Sequence, residues 1–309
     1  MNWNTSTYIK IVLVLLAGLV IILVLFSGIF RAYFPDFGFR LSNRFHDTIK
    51  TGQLVSSMRI DLNAAVKAEK SAVLADTDEA SQTFADQTRR HSSSLEKSRL
   101  ELDSLLQSGG TSQELEFFRE FTECWLTFRE IDRVLLDLAV QNTNIKASNL
   151  SFGSARNSLK VMEDTINKII NNEAANTQIH QIRFFAWQML MAALTIHTLQ
   201  APHIAESRSE RMDEIETEMK TADGRSKAAL DNLSPLISPS EQANFYAVKT
   251  AYEEFQKINK EIIRLSRKNS NVESLLISLG RKRKVAADCE EALRALSEAV
   301  QSRTFKATR

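Results

Sequence analysis

Proline is scarce in this chain: four occur in 309 residues, and none lies between Pro35 and Pro202. A stretch so free of the strongest helix breaker can stay helical for a long way. Glycine is also sparse, at nine. Together these shortages point to an all-α protein. Charge of one sign is missing too, since the net charge is +1, and nothing electrostatic calls for a nucleic-acid partner. The motifs of catalysis are absent: no G-x-x-x-x-G-K-[ST], no H-E-x-x-H, no G-x-S-x-G and no glycine-rich strand-to-helix turn. The five histidines, His46, His91, His180, His197 and His203, have no histidine partner at i+3 or i+4 that would pair ligands on one helical face. Neither an enzyme nor a bound metal or cofactor is expected.

What the chain does have begins with IVLVLLAGLVIILVLFSGIF, residues 11–30, an apolar run without a charge. Twenty residues at ~1.5 Å per residue cover the roughly 30 Å hydrocarbon core of a bilayer. The run is too long for a signal peptide and no A-x-A-like site follows, so an uncleaved anchor over residues 11–34 is expected. The flanking Lys10, Arg31, Arg40 and Arg44 leave its orientation undecided. A second apolar stretch, residues 184–200, carries Gln188 and His197 and reads as a buried core helix.

The rest of the sequence says the same thing twice. VQNTNIKASNLSFGSAR (140–156) aligns without gaps on RKNSNVESLLISLGRKR (267–283), so that Asn142 falls on Asn269, Asn144 on Asn271, Ser151 on Ser278 and Gly153 on Gly280, all 127 residues apart. The breaks repeat at the same offset. Thr111 with Glu114 makes a capping box that Ser238 and Glu241 repeat, with Pro239 at the first helical position. Asp76 with Glu79 makes another, whose places His203 and Glu206 occupy beside a turn at Pro202. Trp125, Phe128 and Ile131 correspond to Tyr252, Phe255 and Ile258. A three-helix unit has been duplicated, over 36–175 and 176–302, with a short basic tail at 303–309.

The two Asn-x-Asn stretches leave the topology open. If each is a turn, the chain forms two consecutive up-down-up-down bundles. If a helix runs through each, two long helices, about 113–172 and 241–300, are shared by two four-helix bundles stacked end to end. Seven-residue spacing favours the second arrangement, since Ile131, Leu138, Ile145, Phe152 and Leu159, and likewise Ile258, Leu265, Val272 and Leu279, pass through without a break. The four asparagines would then form a polar seam at mid-length, and Gly153 and Gly280 would mark a close helix approach or a bend.

MRIDLNAAVKAEKSAVLADTDE (58–79) and LTFREIDRVLLDLAVQNTNIKASNLSFGSAR (126–156), behind a membrane anchor, resemble the sensor region of bacterial methyl-accepting chemotaxis receptors, and the six-helix count resembles their helical bimodular type. The resemblance implies an inner-membrane protein with residues 1–10 in the cytoplasm and the bulk in the periplasm. It also implies a homodimer formed through the anchor and long helices. Family receptors continue into a second membrane helix, a HAMP linker and a signalling hairpin, none of which these 309 residues contain. Their sensors bind small organic acids, amino acids or similar solutes between helices. Here Arg59, Arg183 and Arg211 are candidate carboxylate partners, and Trp125, Trp187 and Tyr252 candidate pocket walls. For each, a solvated arginine or a core aromatic is the plainer reading. Glu69, Lys70 and the basic run 281–284 read as solvated. Cys124 and Cys289 would reach similar heights on the two long helices, where an oxidising periplasm permits a disulfide, although two buried thiols are the simpler expectation. A membrane-tethered adaptor that binds partner helices is the competing expectation.

Overall fold

The structure is a computed structural model that describes residues 37–307, with side chains for 46–303. The expected anchor at 11–34 and the expected cytoplasmic segment lie outside the described residues. All regular structure within them is helical. α1 spans Phe37–Leu74, α2 Asp78–Gly109 and α3 Ser112–Ala139. α4 (Thr143–Leu150) passes through a π turn, Ser151–Ala155, into α5 (Arg156–Asn172). α6 (Ile179–Ala205), α7 (Ser209–Leu233), α8 (Gln242–Lys268) and α9 (Ser270–Ile277) follow, and a second π turn, Ser278–Lys282, leads into α10 (Arg283–Ala307).

Local chemistry explains most of the boundaries. Thr111 and Glu114 form the capping box in full: the Glu114 carboxylate accepts the Thr111 N–H at 2.8 Å and the Thr111 hydroxyl accepts the Glu114 N–H at 3.2 Å. The cap of α2 is Thr77, whose hydroxyl accepts the Ala80 N–H, in place of the expected Asp76. Its counterpart in the second copy does not form. α6 runs through Pro202, so His203 is a buried helical residue, and the next helix starts only at Ser209. Ser238 makes no side-chain cap; Pro239 opens a 3-10 turn, and the Glu241 carboxylate accepts from Asn172 and Asn244.

At each Asn-x-Asn the chain neither reverses nor continues undisturbed. Asn142 and Asn269 adopt left-handed backbone, at φ 50° and 52°, the two non-glycine residues with positive φ among those described. Asparagine tolerates that region better than most residues because its short amide side chain can bond locally. Each π turn then begins nine residues later, after a helix of eight residues. The unbroken long helices expected from the heptads are therefore corrected to segmented arms. Gly153 and Gly280 sit inside the π turns with nothing within 4 Å of an added Cβ, so they do not admit a neighbouring helix.

Two compact units emerge. The described residues of Met1–Arg59, Glu96–Arg119 and Ala292–Arg309 form one. Its buried side chains include Val55, Met58, Leu102, Leu106, Phe118, Leu293, Leu296 and Val300. Lys50 pairs with Glu101, and Arg303 pairs with Glu114 at 3.0 Å while donating to the Gly109 carbonyl. The basic tail at 303–309 thus begins inside a helix that reaches Ala307.

The other unit comprises Ile60–Leu95 and Glu120–Glu291. Within it α6 packs on α7, α5 on α8, and α6 touches both α5 and α8. Ile166, Met189, Ile196, Met219, Leu233, Val248, Phe255 and Ile262 supply much of their shared core. Each such aliphatic or aromatic side chain contributes ~1.5–3 kcal/mol on burial. A smaller core joins Ala72, Val73, Ala85, Leu135, Leu136 and Ala139, with Ile277 against it. Cys124 and Cys289 are joined by a disulfide with Cα atoms 5.6 Å apart, which overturns the expectation of two free thiols. α6 is long and apolar enough to cross a membrane by length and composition alone, and 39% of its most apolar stretch is buried inside the protein.

Candidate functional site

The seam is built from residues that correspond across the duplication. Thr143 and Ser270 each accept the other's backbone N–H on their hydroxyls, at 3.1 and 3.0 Å. Asn144 and Asn271 do the same through their side-chain carbonyls, at 3.1 and 3.2 Å. The Asn144 amide donates to Asn269 at 2.7 Å, and the Asn271 amide to Asn142 at 3.0 Å. Residues 142, 143 and 144 correspond to 269, 270 and 271 at the 127-residue offset, so these bonds are reciprocal and relate the two copies by a local two-fold between Thr143 and Ser270. The first-turn N–H groups of α4 and α9, which have no intrahelical partner, thereby satisfy each other through side chains. Outer bonds tie the seam to its neighbours, from Asn142 to Asp78, Asn144 to the Ile204 carbonyl and Asn269 to the Glu206 carbonyl. Below Asn269 on the same arm, the His203 ring bridges Ser266 at 2.8 Å and Glu216 at 2.9 Å, and Arg267 pairs with Glu216. Burial works against the Glu216 carboxylate, but hydrogen bonds from Arg267 and His203 outweigh it and hold its pKa below the usual carboxylate range.

A second polar cluster sits where the second π turn faces α3. Lys282 is buried, its Nζ 2.5 Å from an Asp132 carboxylate oxygen, 3.2 Å from the Phe128 carbonyl and 3.0 Å from the centre of the Phe128 ring. A cation held over an aromatic face in a dry site is attracted to the ring quadrupole. Glu69 of α1 is 1% exposed, and neither of its oxygens has a hydrogen-bonding partner of normal geometry, although the Ser278 hydroxyl lies beside it. Burial pushes the Lys282 ammonium down to about 8 against the pull of Asp132, and pushes Asp132 and Glu69 above the ordinary carboxylate range. These three residues correct the expectation that Glu69 and the 281–284 run are solvated; Arg281, Arg283 and Lys284 are the exposed members.

The corresponding place in the other copy is polar but uncharged. Asn259 (132 + 127) accepts from Gln200 at 2.8 Å, and the Gln200 carbonyl accepts from Ser151 at 2.7 Å. Ala155 stands where Lys282 stands (155 + 127 = 282), and Ile196 where Glu69 stands (69 + 127 = 196).

Of the candidate ligand residues, Tyr252 lines a cavity. That cavity, of about 550 Å³ between α7 and α8, is also bordered by Asp223, Lys227, Lys249, Lys257 and Lys260. The Tyr252 hydroxyl donates to the Asp223 carboxylate at 2.6 Å and accepts from Gln256 at 2.9 Å. Burial and the Asp223 carboxylate raise its pKa well above that of a free phenol. Trp125 is fully buried, stacked between Phe121 and Phe128. Trp187 and Arg183 are exposed on α6, Arg211 is exposed and paired with Glu214, and Arg59 is half-buried at the edge of the other unit. The candidates do not converge. No family model, curated protein or solved structure matches this chain.

Proposed function

We propose that the chain is a membrane-anchored sensor module that binds a small organic acid between helices and transmits the event along its long arms. The finer arrangement that goes with this reading is the one the duplication suggests, two four-helix bundles sharing both arms, held as a homodimer at the inner membrane with the bulk in the periplasm. The observation that carries it is the seam. Both arms are interrupted by a left-handed residue and a π turn, then locked to each other by symmetric side-chain bonds. Such a junction has discrete packings, and small displacements at packed interfaces are how bistable elements signal. The cavity at Tyr252 supports an anionic ligand, because four lysines border it against two aspartates and one glutamate. Thermal shift of the full chain in detergent, screened against short mono- and dicarboxylates, tests the reading. Stabilisation by one acid, lost on Lys249→Ala, is the expected result; no response to any acid sinks it.

One observation favours the adaptor reading as second choice. Phe184, Trp187, Met191 and Leu194 recur at helical spacing along α6 and are all exposed. Recovery of a crosslinked protein partner through Trp187, together with an absence of acid binding, would establish it.

A further inference from the structure

The charged cluster under the second π turn is not required by the fold. The same three positions in the other copy are Ala155, Asn259 and Ile196, all buried in a working core without a charge. Something other than architecture therefore accounts for Glu69, Asp132 and Lys282. Their balance is also incomplete: two buried carboxylates face one buried ammonium, and that ammonium lies on Asp132. Glu69 is left with two acceptor oxygens and no donor of normal geometry. A buried carboxylate without a partner costs several kcal/mol, so it calls for a proton or a cation.

Glu69 lies at the closed end of a cavity of about 250 Å³, beside Ser278 and Lys282, all three nearly inaccessible. Its more exposed lining, between α1 and α10, includes Lys70, Arg283, the small Ala286 and Ala287, and Asn63, whose amide donates to Glu290 at 3.3 Å. We propose that this cavity binds a small primary ammonium ion, its N–H groups donating to Glu69 and, at the rim of the closed end, to the Ser278 hydroxyl. The volume lies below the 300–1,000 Å³ of drug-sized pockets, which limits the ligand to a few heavy atoms. An ionised acid is disfavoured because the unpartnered group at the closed end, Glu69, offers it only acceptor oxygens. A divalent metal is disfavoured because no group of three or more His, Cys, Asp or Glu side chains converges among the described residues. A π turn is a recurrent way to turn successive side chains toward a functional site, and here it brings both Ser278 and Lys282 inward. This site is separate from the Tyr252 cavity and does not depend on the sensor reading.

Binding is tested on the full chain in detergent with methylammonium and ethylammonium chloride as probes. Tetramethylammonium, which has no N–H, and sodium chloride serve as controls at equal ionic strength. The expected result is thermal stabilisation by the primary amines alone, with affinity falling about tenfold or more in Glu69→Gln, the loss of one charged hydrogen-bonding partner. Ala287→Phe, a change at an exposed position that closes the cavity's exposed side, is expected to abolish the response while leaving Glu69 in place. The proposal is overturned if tetramethylammonium or sodium stabilises equally, or if both variants bind amine as wild type does. It is also overturned if no amine responds; stabilisation by acidification alone would then make the occupant a proton. A response to acids at Tyr252 that survives either variant leaves the two sites independently judged.

Discussion

Asn144 and Asn271 each accept the other's backbone N–H on a side-chain carbonyl, at 3.1 and 3.2 Å, so one residue in each copy caps the corresponding helix of the other. Removing either amide leaves a buried N–H and a neighbouring asparagine carbonyl without partners. Asn144→Ala or Asn271→Ala is expected to destabilise the protein by about 1–3 kcal/mol. The double variant should cost less than the sum, because each single change already breaks part of the shared network. Urea unfolding followed by circular dichroism measures all three; full additivity would show the two residues act separately.

Asn142 and Asn269 hold the left-handed turns, and glycine against alanine at each position separates backbone from side chain. Both substitutions delete the outer amide bonds, to Asp78 and to the Glu206 carbonyl. Only alanine retains a Cβ that clashes in this conformation, at about 1–2 kcal/mol. Asn142→Gly and Asn269→Gly are therefore expected to be more stable than their alanine counterparts by that amount. Equal stabilities would mean the backbone relaxes out of the left-handed region.

How far the sequence could be read is decided at these same turns. The duplication and the Thr111 cap follow from residue types at fixed separations, and they survive folding because they depend on local chemistry. The seven-residue reading fails in the middle of each arm. It places Phe152 and Leu279 inside, yet they are 64% and 53% exposed. The buried positions recur every four residues instead: Ile131, Leu135, Ala139, Thr143, Ala147, Ser151 and Ala155, and in the second copy Ile258, Ile262, Ser266, Ser270, Ser274, Ser278 and Lys282. Four residues turn a regular α-helix by about 400°, so such a stripe drifts roughly 40° per step unless the winding slackens. The left-handed residue and the π turn alter that winding. Nine of these fourteen residues are Ala, Ser or Thr, which no hydrophobicity pattern marks as core. The one signal that would have exposed Lys282 is its place in this four-residue series, hidden inside a basic run that reads as solvated.

The Cys124–Cys289 bond closes a 165-residue separation, and in the chain-entropy view long loops gain most from closure. Removing it is expected to cost about 2–4 kcal/mol. Wild type should lose thermal stability in reductant, whereas Cys124→Ser/Cys289→Ser should not respond. The oxidised and reduced wild-type chains should also migrate differently in denaturing gels. A reductant-insensitive wild type would show the bond does not form.

Glu69 gives the protein a pH dependence opposite in sense to that of an ordinary surface carboxylate. Its folded pKa is raised above the ordinary value of 4.5 by burial, so the folded state holds the proton more tightly than the unfolded chain. Stability from this group is fully present below the unfolded pKa and is lost as pH rises through the folded value. Asp132 acts in the same direction. Lys282, lowered by burial to about 8 from 10.5, adds stability that is present above its unfolded value and lost as pH falls through about 8. Near neutral pH the cluster is therefore near its least favourable point. Glu69→Gln is expected to make the decline from acid to neutral pH shallower, and to be more stable than wild type at pH 7 in amine-free buffer. Urea unfolding from pH 4.5 to pH 9 measures both. If the variant is less stable at pH 7 and its pH profile parallels wild type, Glu69 is charged and satisfied in the folded protein, and the reading of it as an unpartnered buried acid fails.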